Sequence, residues 1–129
     1  YPVLRLAEMY LIRAEAKIRS TTKKDLQGAA RDIMTIRSRA TKSGHEKEME
    51  VTEKDMTVDF ILDERGRELA GEFQRWFDLK RLGKLVDHIK LYNPDAAGNI
   101  KDFHKVRPIP QTQFDGMPDW TTLGQNDGY

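Results

Sequence analysis

Glu64, Glu68 and Glu72 recur every four residues, and Asp78 follows them. On a helix that spacing lines the three glutamates along one face. Two carboxyl groups at the right separation can hydrolyse a glycosidic bond, one as acid and one as base or nucleophile. Each of these acids, however, has a base three residues away: Glu64 has Arg67, Glu68 has Arg65, Glu72 has Arg75 and Asp78 has Arg81. A guanidinium neighbour favours the ionised carboxylate, whereas a general acid must keep its proton near neutral pH. The pattern therefore predicts a lattice of ion pairs, with no catalytic residue.

The same stretch carries Phe73, Trp76 and Phe77 among arginines and lysines. Rings interleaved with cations can stack on single-stranded nucleic acid, and a bare aromatic face can carry a sugar. Interleaved acids repel phosphate, and the whole chain balances 22 Lys plus Arg against 21 Asp plus Glu, a net charge of +1. That balance argues against nucleic acid as a partner. The helical spacing of the three rings predicts that they are core. His45, His88 and His104 lack the H-x-x-x-H and H-E-x-x-H spacings of zinc sites. The run "NPDAAGNIKDFH" resembles a calcium loop at Asn93, Asp95, Gly98 and Asn99. It fails as one, with Ala97 where a ligand is wanted and His104 where the bidentate Glu should stand. No metal site is predicted. With no G-x-S-x-G, phosphate loop or dinucleotide fingerprint, no cofactor is predicted either. The absence of cysteine excludes disulfides and thiolate metal sites, and no apolar run approaches the length of a membrane span.

Four amphipathic segments must position these residues, which makes the expected class all-α. Leu4, Ala7, Leu11, Ala14 and Ile18 form one buried stripe of a helix over about 3–19, with Glu15 and Arg19 paired on its solvated side. Asp25 caps a second helix over 25–40 that buries Leu26, Ala29, Ala30, Ile33 and Ile36. The short "STTKKD" connection makes these two an antiparallel hairpin. Residues 41–51 show little periodicity and are expected to be a mobile loop. Thr52 and Asp55 form a capping-box signature opening a helix over 53–71. Its buried stripe is Val58, Ile61, Leu62, the stem of Arg65, and Leu69, and Gly71 stops it. A fourth helix over 74–89 buries Trp76, Phe77, Leu79, Leu82, Leu85 and Val86. Residues 90–129 hold Pro94, Pro108, Pro110 and Pro118 and read as an irregular tail pinned by Phe103, Ile109, Phe114, Trp120 and Tyr129. The expectation is a single domain over 1–129. The chain opens without Met and enters a helix almost at once, which reads as part of a longer protein.

Six stretches occur in a telling order: "LRLAEMYLIRAEA" (4–16), "IRSRA" (36–40), "ERGREL" (64–69), "RWFDLKR" (75–81), "PIP" (108–110) and "QNDGY" (125–129). Together they closely resemble the C-terminal region of SusD/RagB-like outer-membrane nutrient-binding proteins. Two departures stand out: Gly71-Glu72-Phe73 replaces a Phe-Glu-Gly-type run, and Asp127 stands where the family ends with proline. The resemblance implies tetratricopeptide-like antiparallel helical hairpins. It also implies a surface-exposed lipoprotein held on the outer membrane by a lipid anchor outside these residues. Such proteins bind oligosaccharides, or in some members peptides, and serve as the lid of a SusC-type TonB-dependent transporter. They are binding proteins, not enzymes, and most of the ligand-binding half would lie upstream. Carried over as structural positions only, Arg65, Glu68, Arg75, Trp76 and Asp78 form the lattice joining the third and fourth helices. No ligand-contact residue is identified.

Overall fold

The computed structural model describes residues 4–119, 122 and 124–129. Val3, the expected helix start, and Trp120, an expected pin of the tail, lie outside them. All regular structure among the described residues is helical: α1 (Leu6–Arg19), α2 (Leu26–Ala40), α3 (Val58–Glu68), α4 (Arg75–Arg81), α5 (Leu85–Tyr92), α6 (Pro94–Ala97) and α7 (Gln111–Asp115). Three 3-10 turns join them, at Glu46–Met49, Glu53–Asp55 and Asp102–Lys105. This all-α architecture is compatible with tetratricopeptide-like hairpins. The chain divides into two compact units, residues 1–75 and residues 76–129.

In the first unit, Ala7, Leu11, Ala14 and Ile18 of α1 are buried, as the periodicity predicts. Leu4 is 69% exposed. Arg5 is extended, with φ −139°, so the helical period does not reach back to Leu4. Asp25 caps α2 by accepting the Gly28 N–H at 2.8 Å. A Cβ at Gly28 would lie 2.0 Å from the Asp25 carboxylate, so this cap demands glycine. Lys17 meets the Gly28 carbonyl and Arg13 meets Asp32, so partner numbers fall on α2 as they rise on α1, the signature of an antiparallel hairpin. Small residues at Ala14, Ala29 and Ala30 allow close approach, and Leu11, Ile33, Ile36, Met56, Ile61 and Leu69 fill the core with them.

The stretch expected to be one helix over 53–71 is a 3-10 turn followed by α3. The Thr52–Asp55 capping box forms, but it closes only the turn. Thr57 then caps a fresh start by accepting the Phe60 N–H at 3.1 Å. Residues 41–51 are not a featureless loop: Arg37 donates to the Met49 carbonyl, and Val51 packs on the core. Past α3, Gly71 takes the left-handed conformation at φ 78°.

The helix expected over 74–89 is broken in two at Gly83. Gly83 has φ 71°, its N–H donates to the Lys80 carbonyl, and the Lys84 N–H donates to the Leu79 carbonyl. These are the paired bonds of a Schellman ending, which glycine permits at little cost. Among residues 76–129, Leu79, Leu85, Val86 and Phe114 are buried. The run rejected above as a calcium loop opens as a helical turn, since the Asn93 side chain caps α6 and Pro94 sits at its first position.

Truncating Leu11, which is fully buried, to Ala should lower the unfolding free energy by about 3 kcal/mol in urea titration. Leu4→Ala should stay within about 0.5 kcal/mol of the parent.

Candidate functional site

Two of the acids that drew attention in the sequence, Glu64 and Glu68, lie on α3. Glu64 is buried and is gripped by the Arg37 fork, with Nε at 3.1 Å and Nη2 at 2.8 Å. Arg67, one turn along, adds a contact at 2.6 Å. Burial by itself pushes the Glu64 carboxyl up, and hydrogen bonds from Arg37 and Arg67 outweigh it, holding the group below the usual carboxylate value. Arg37 also lies over the Phe60 ring at 5.1 Å, so its N–H edge is used on Glu64 and a face on the ring.

Glu68 joins three helices. It accepts from Arg5 at 2.6 Å and from Arg39 at 2.6 Å, at the start of α1 and the end of α2. Arg5 also donates to the Glu68 backbone carbonyl and to Glu72 at 2.8 Å. Arg65 is buried, with Glu8 of α1 at 3.6 Å. On the other side of the hairpin, Asp32 accepts Arg13 at 2.5 Å and Lys17 at 2.8 Å. Burial again acts to raise Asp32, and those two cations win, leaving it below the ordinary range. Glu15, expected on the solvated side, is buried, although it does pair with Arg19 at 2.9 Å.

Each residue of the expected lattice therefore has a definite place. Arg65 and Glu68 face α1 and α2. Arg75 donates to the Leu62 carbonyl at 2.6 Å and reaches Asp63 at 3.8 Å. Its guanidinium crosses α3 at Gly66, where an added Cβ would sit 3.0 Å from Nη1. Asp78 is buried and takes Arg81 at 2.9 and 3.0 Å. Trp76 is half-buried, with the Arg107 guanidinium 5.9 Å above its ring. Of the four predicted pairs three residues apart, Glu64–Arg67 and Asp78–Arg81 form. Glu68 and Glu72 both bond to Arg5, a partner that local spacing could not reveal.

Of the three aromatics predicted as core, two are exposed and Trp76 is half-buried. Phe73 is 83% exposed and Phe77 62% exposed. Phe73 stands outside any helix, in the left-handed region at φ 61°, so the helical period that linked it to Phe77 does not exist. α4 begins at Arg75 and buries Asp78 and Leu79, which leaves Phe77 on its outer side.

Chemically, Glu64 and Asp32 are held in the charged form by several donors each, which suits adhesion and not proton donation. The histidines serve local structure: His45 meets Glu48, His104 Nδ1 accepts the Lys101 N–H, and His88 lies against Tyr92. Among the described residues no cluster of three or more His, Asp or Glu could hold a metal ion, and no helix is long and apolar enough to cross a membrane. A groove between α1 and α2 is lined by Leu6, Ala7, Tyr10, Thr35, Ile36 and Arg39. Its one charged group, Arg39, is already engaged by Glu68.

The lattice gives stability a definite pH dependence. Asp32 and Glu64 bind protons less readily folded than unfolded. Their contribution is complete above the unfolded carboxylate range near about pH 4 and is lost as pH falls through the lower folded values. Melting curves should show Tm dropping below about pH 4, and Glu64→Gln should flatten that drop. At neutral pH, Arg37→Ala should cost about 2 kcal/mol, less than a fully broken buried pair because Arg67 stays on Glu64.

The comparisons with known proteins agree on one family. The SusD family profile matches residues 1–129, the whole chain. A SusD-like protein P25 of Formosa agariphila is 33% identical over 124 residues, covering 90% of this chain and 22% of its own length. The starch-binding protein SusD of Bacteroides thetaiotaomicron is 31% identical over 134 residues, covering 99% of this chain and 21% of its own. The chain thus spans about a fifth of the length of these relatives. No solved structure matches at a significant level. With the family profile matched from end to end and two relatives named for SusD, the chain belongs to the SusD family.

Proposed function

We propose that this chain is the C-terminal helical scaffold of a SusD-like cell-surface protein that captures oligosaccharides and delivers them to a SusC-type TonB-dependent transporter. In this role the protein is a binding protein and not an enzyme, is carried on the outer membrane by a lipid anchor outside these residues, and needs no cofactor. The observation that carries the proposal is the match of the whole chain to the SusD family together with its similarity to a starch-binding SusD. The geometry is in keeping with it. The chain's buried acids Asp32 and Glu64 are engaged by cross-helix arginines, which supports a reading in which other parts of the protein hold most of the ligand.

The test is a screen of the full-length protein against arrayed oligosaccharides, malto-oligosaccharides included, and a peptide library, paired with co-purification of the transporter barrel from outer membranes. Binding of oligosaccharides with recovery of the barrel is the expected result. Binding of peptides alone would reassign the ligand to oligopeptides within the same lid mechanism. Recovery of a soluble protein partner, with neither ligand nor barrel bound, would replace the proposal with a tetratricopeptide-like adaptor.

A further inference from the structure

The last five residues of the chain lie against an earlier segment of the same unit through an unusual set of bonds. Gln125 uses its side-chain amide as a neighbouring strand would use its backbone. It accepts the Ile109 N–H at 2.8 Å and donates to the Ile109 carbonyl at 3.0 Å. Asn126 Nδ2 donates to the Arg107 carbonyl at 2.7 Å, and the Tyr129 hydroxyl donates to the Val106 carbonyl at 2.8 Å. The Tyr129 ring meets Phe103 edge-on, with centroids 5.0 Å apart. Gly128 closes the turn between these anchors, with the Tyr129 N–H donating to the Asn126 carbonyl. It has φ 94°, and a Cβ there would come within 2.4 Å of the Phe103 ring. Both its conformation and its clearance exclude a side chain.

These contacts fix the backbone at Val106, Arg107 and Ile109, while Pro108 locks a φ angle between them. Arg107 is the residue whose guanidinium lies over Trp76. We propose that residues 125–129 are a strap that closes on residues 103–109 and thereby sets Arg107 on the Trp76 ring. The anchoring groups are largely solvent-exposed, Tyr129 itself to 45%. Hydrogen bonds as exposed as these open well before the protein unfolds. The strap is therefore a device with two positions: closed, it holds the cation against the indole; open, it releases both.

The 129-residue chain carrying Trp120→Phe, which leaves Trp76 as the one indole of this sequence, provides the readout. Two quantities are followed: indole emission, and hydrogen exchange at the Ile109 amide by NMR. Arg107→Gln should shift the emission, establishing that it reports this contact. Gly128→Ala should shift emission in the same sense and accelerate Ile109 exchange by about tenfold, although it removes no partner of either group. Tyr129→Phe, which deletes one hydroxyl and cannot threaten the fold, should accelerate the same exchange by about fivefold. Unchanged Ile109 exchange in both strap variants would overturn the proposal. So would faster exchange with indole emission left at the parent value, because the strap would then not position Arg107.

Discussion

The grip of Arg37 on Glu64 is the constraint on which the 1–75 unit turns. A carboxylate so nearly buried is costly to desolvate, and only a well-placed fork makes the position tolerable. Once the fork is seated, the end of α2 and the middle of α3 have one mutual register. Glu68, a turn further along α3, extends the same rule to both remaining ends, taking Arg5 before α1 and Arg39 in the last turn of α2. The apolar contacts underneath have no such directionality. Alanines and leucines favour any close packing of the hairpin, whereas a planar guanidinium on a carboxylate accepts few arrangements. Burial thus supplies the drive to assemble, and the arginines choose the arrangement.

How much of this could be read from the sequence depended on the range of each interaction. Stripes such as Ala7, Leu11, Ala14 and Ile18 report a local period, and that period survives in the fold. Pairs three residues apart were legible where both partners share a helix, as with Glu64 and Arg67. The Arg5–Glu68 bond joins residues 63 positions apart, and no local rule could prefer Arg5 over the nearer Arg65. The aromatic prediction failed for a related reason: it took Phe73, Trp76 and Phe77 as one helical period, whereas the backbone at Phe73 turns left-handed. Two signals were present but outcompeted. Thr57 supplies a second helix cap hidden behind the capping box at Thr52, and Gly83 supplies a helix end inside an otherwise apolar pattern.

The proposed role as a scaffold is coherent with where the chain places its chemistry. Charges that could have served a cleft are committed to neighbouring helices, and the histidines to local contacts: His45 and His104 at 3-10 turns, and His88 on Tyr92 within α5. Specific recognition needs polar groups left available and aimed inward, and Asp32, Glu64 and Glu68 are not available in that sense.

Phe73 carries a consequence for handling the protein. It is a large aromatic side chain, mostly exposed, in a non-helical turn flanked by Gly71 and the start of α4. Exposed turns of this kind are where proteases nick folded chains, and chymotrypsin favours cleavage after such a ring. A nick after Phe73 would fall two residues before the boundary between the 1–75 and 76–129 units. The turn that defeated the helical pattern is thus also the natural place to cut the polypeptide into its two parts.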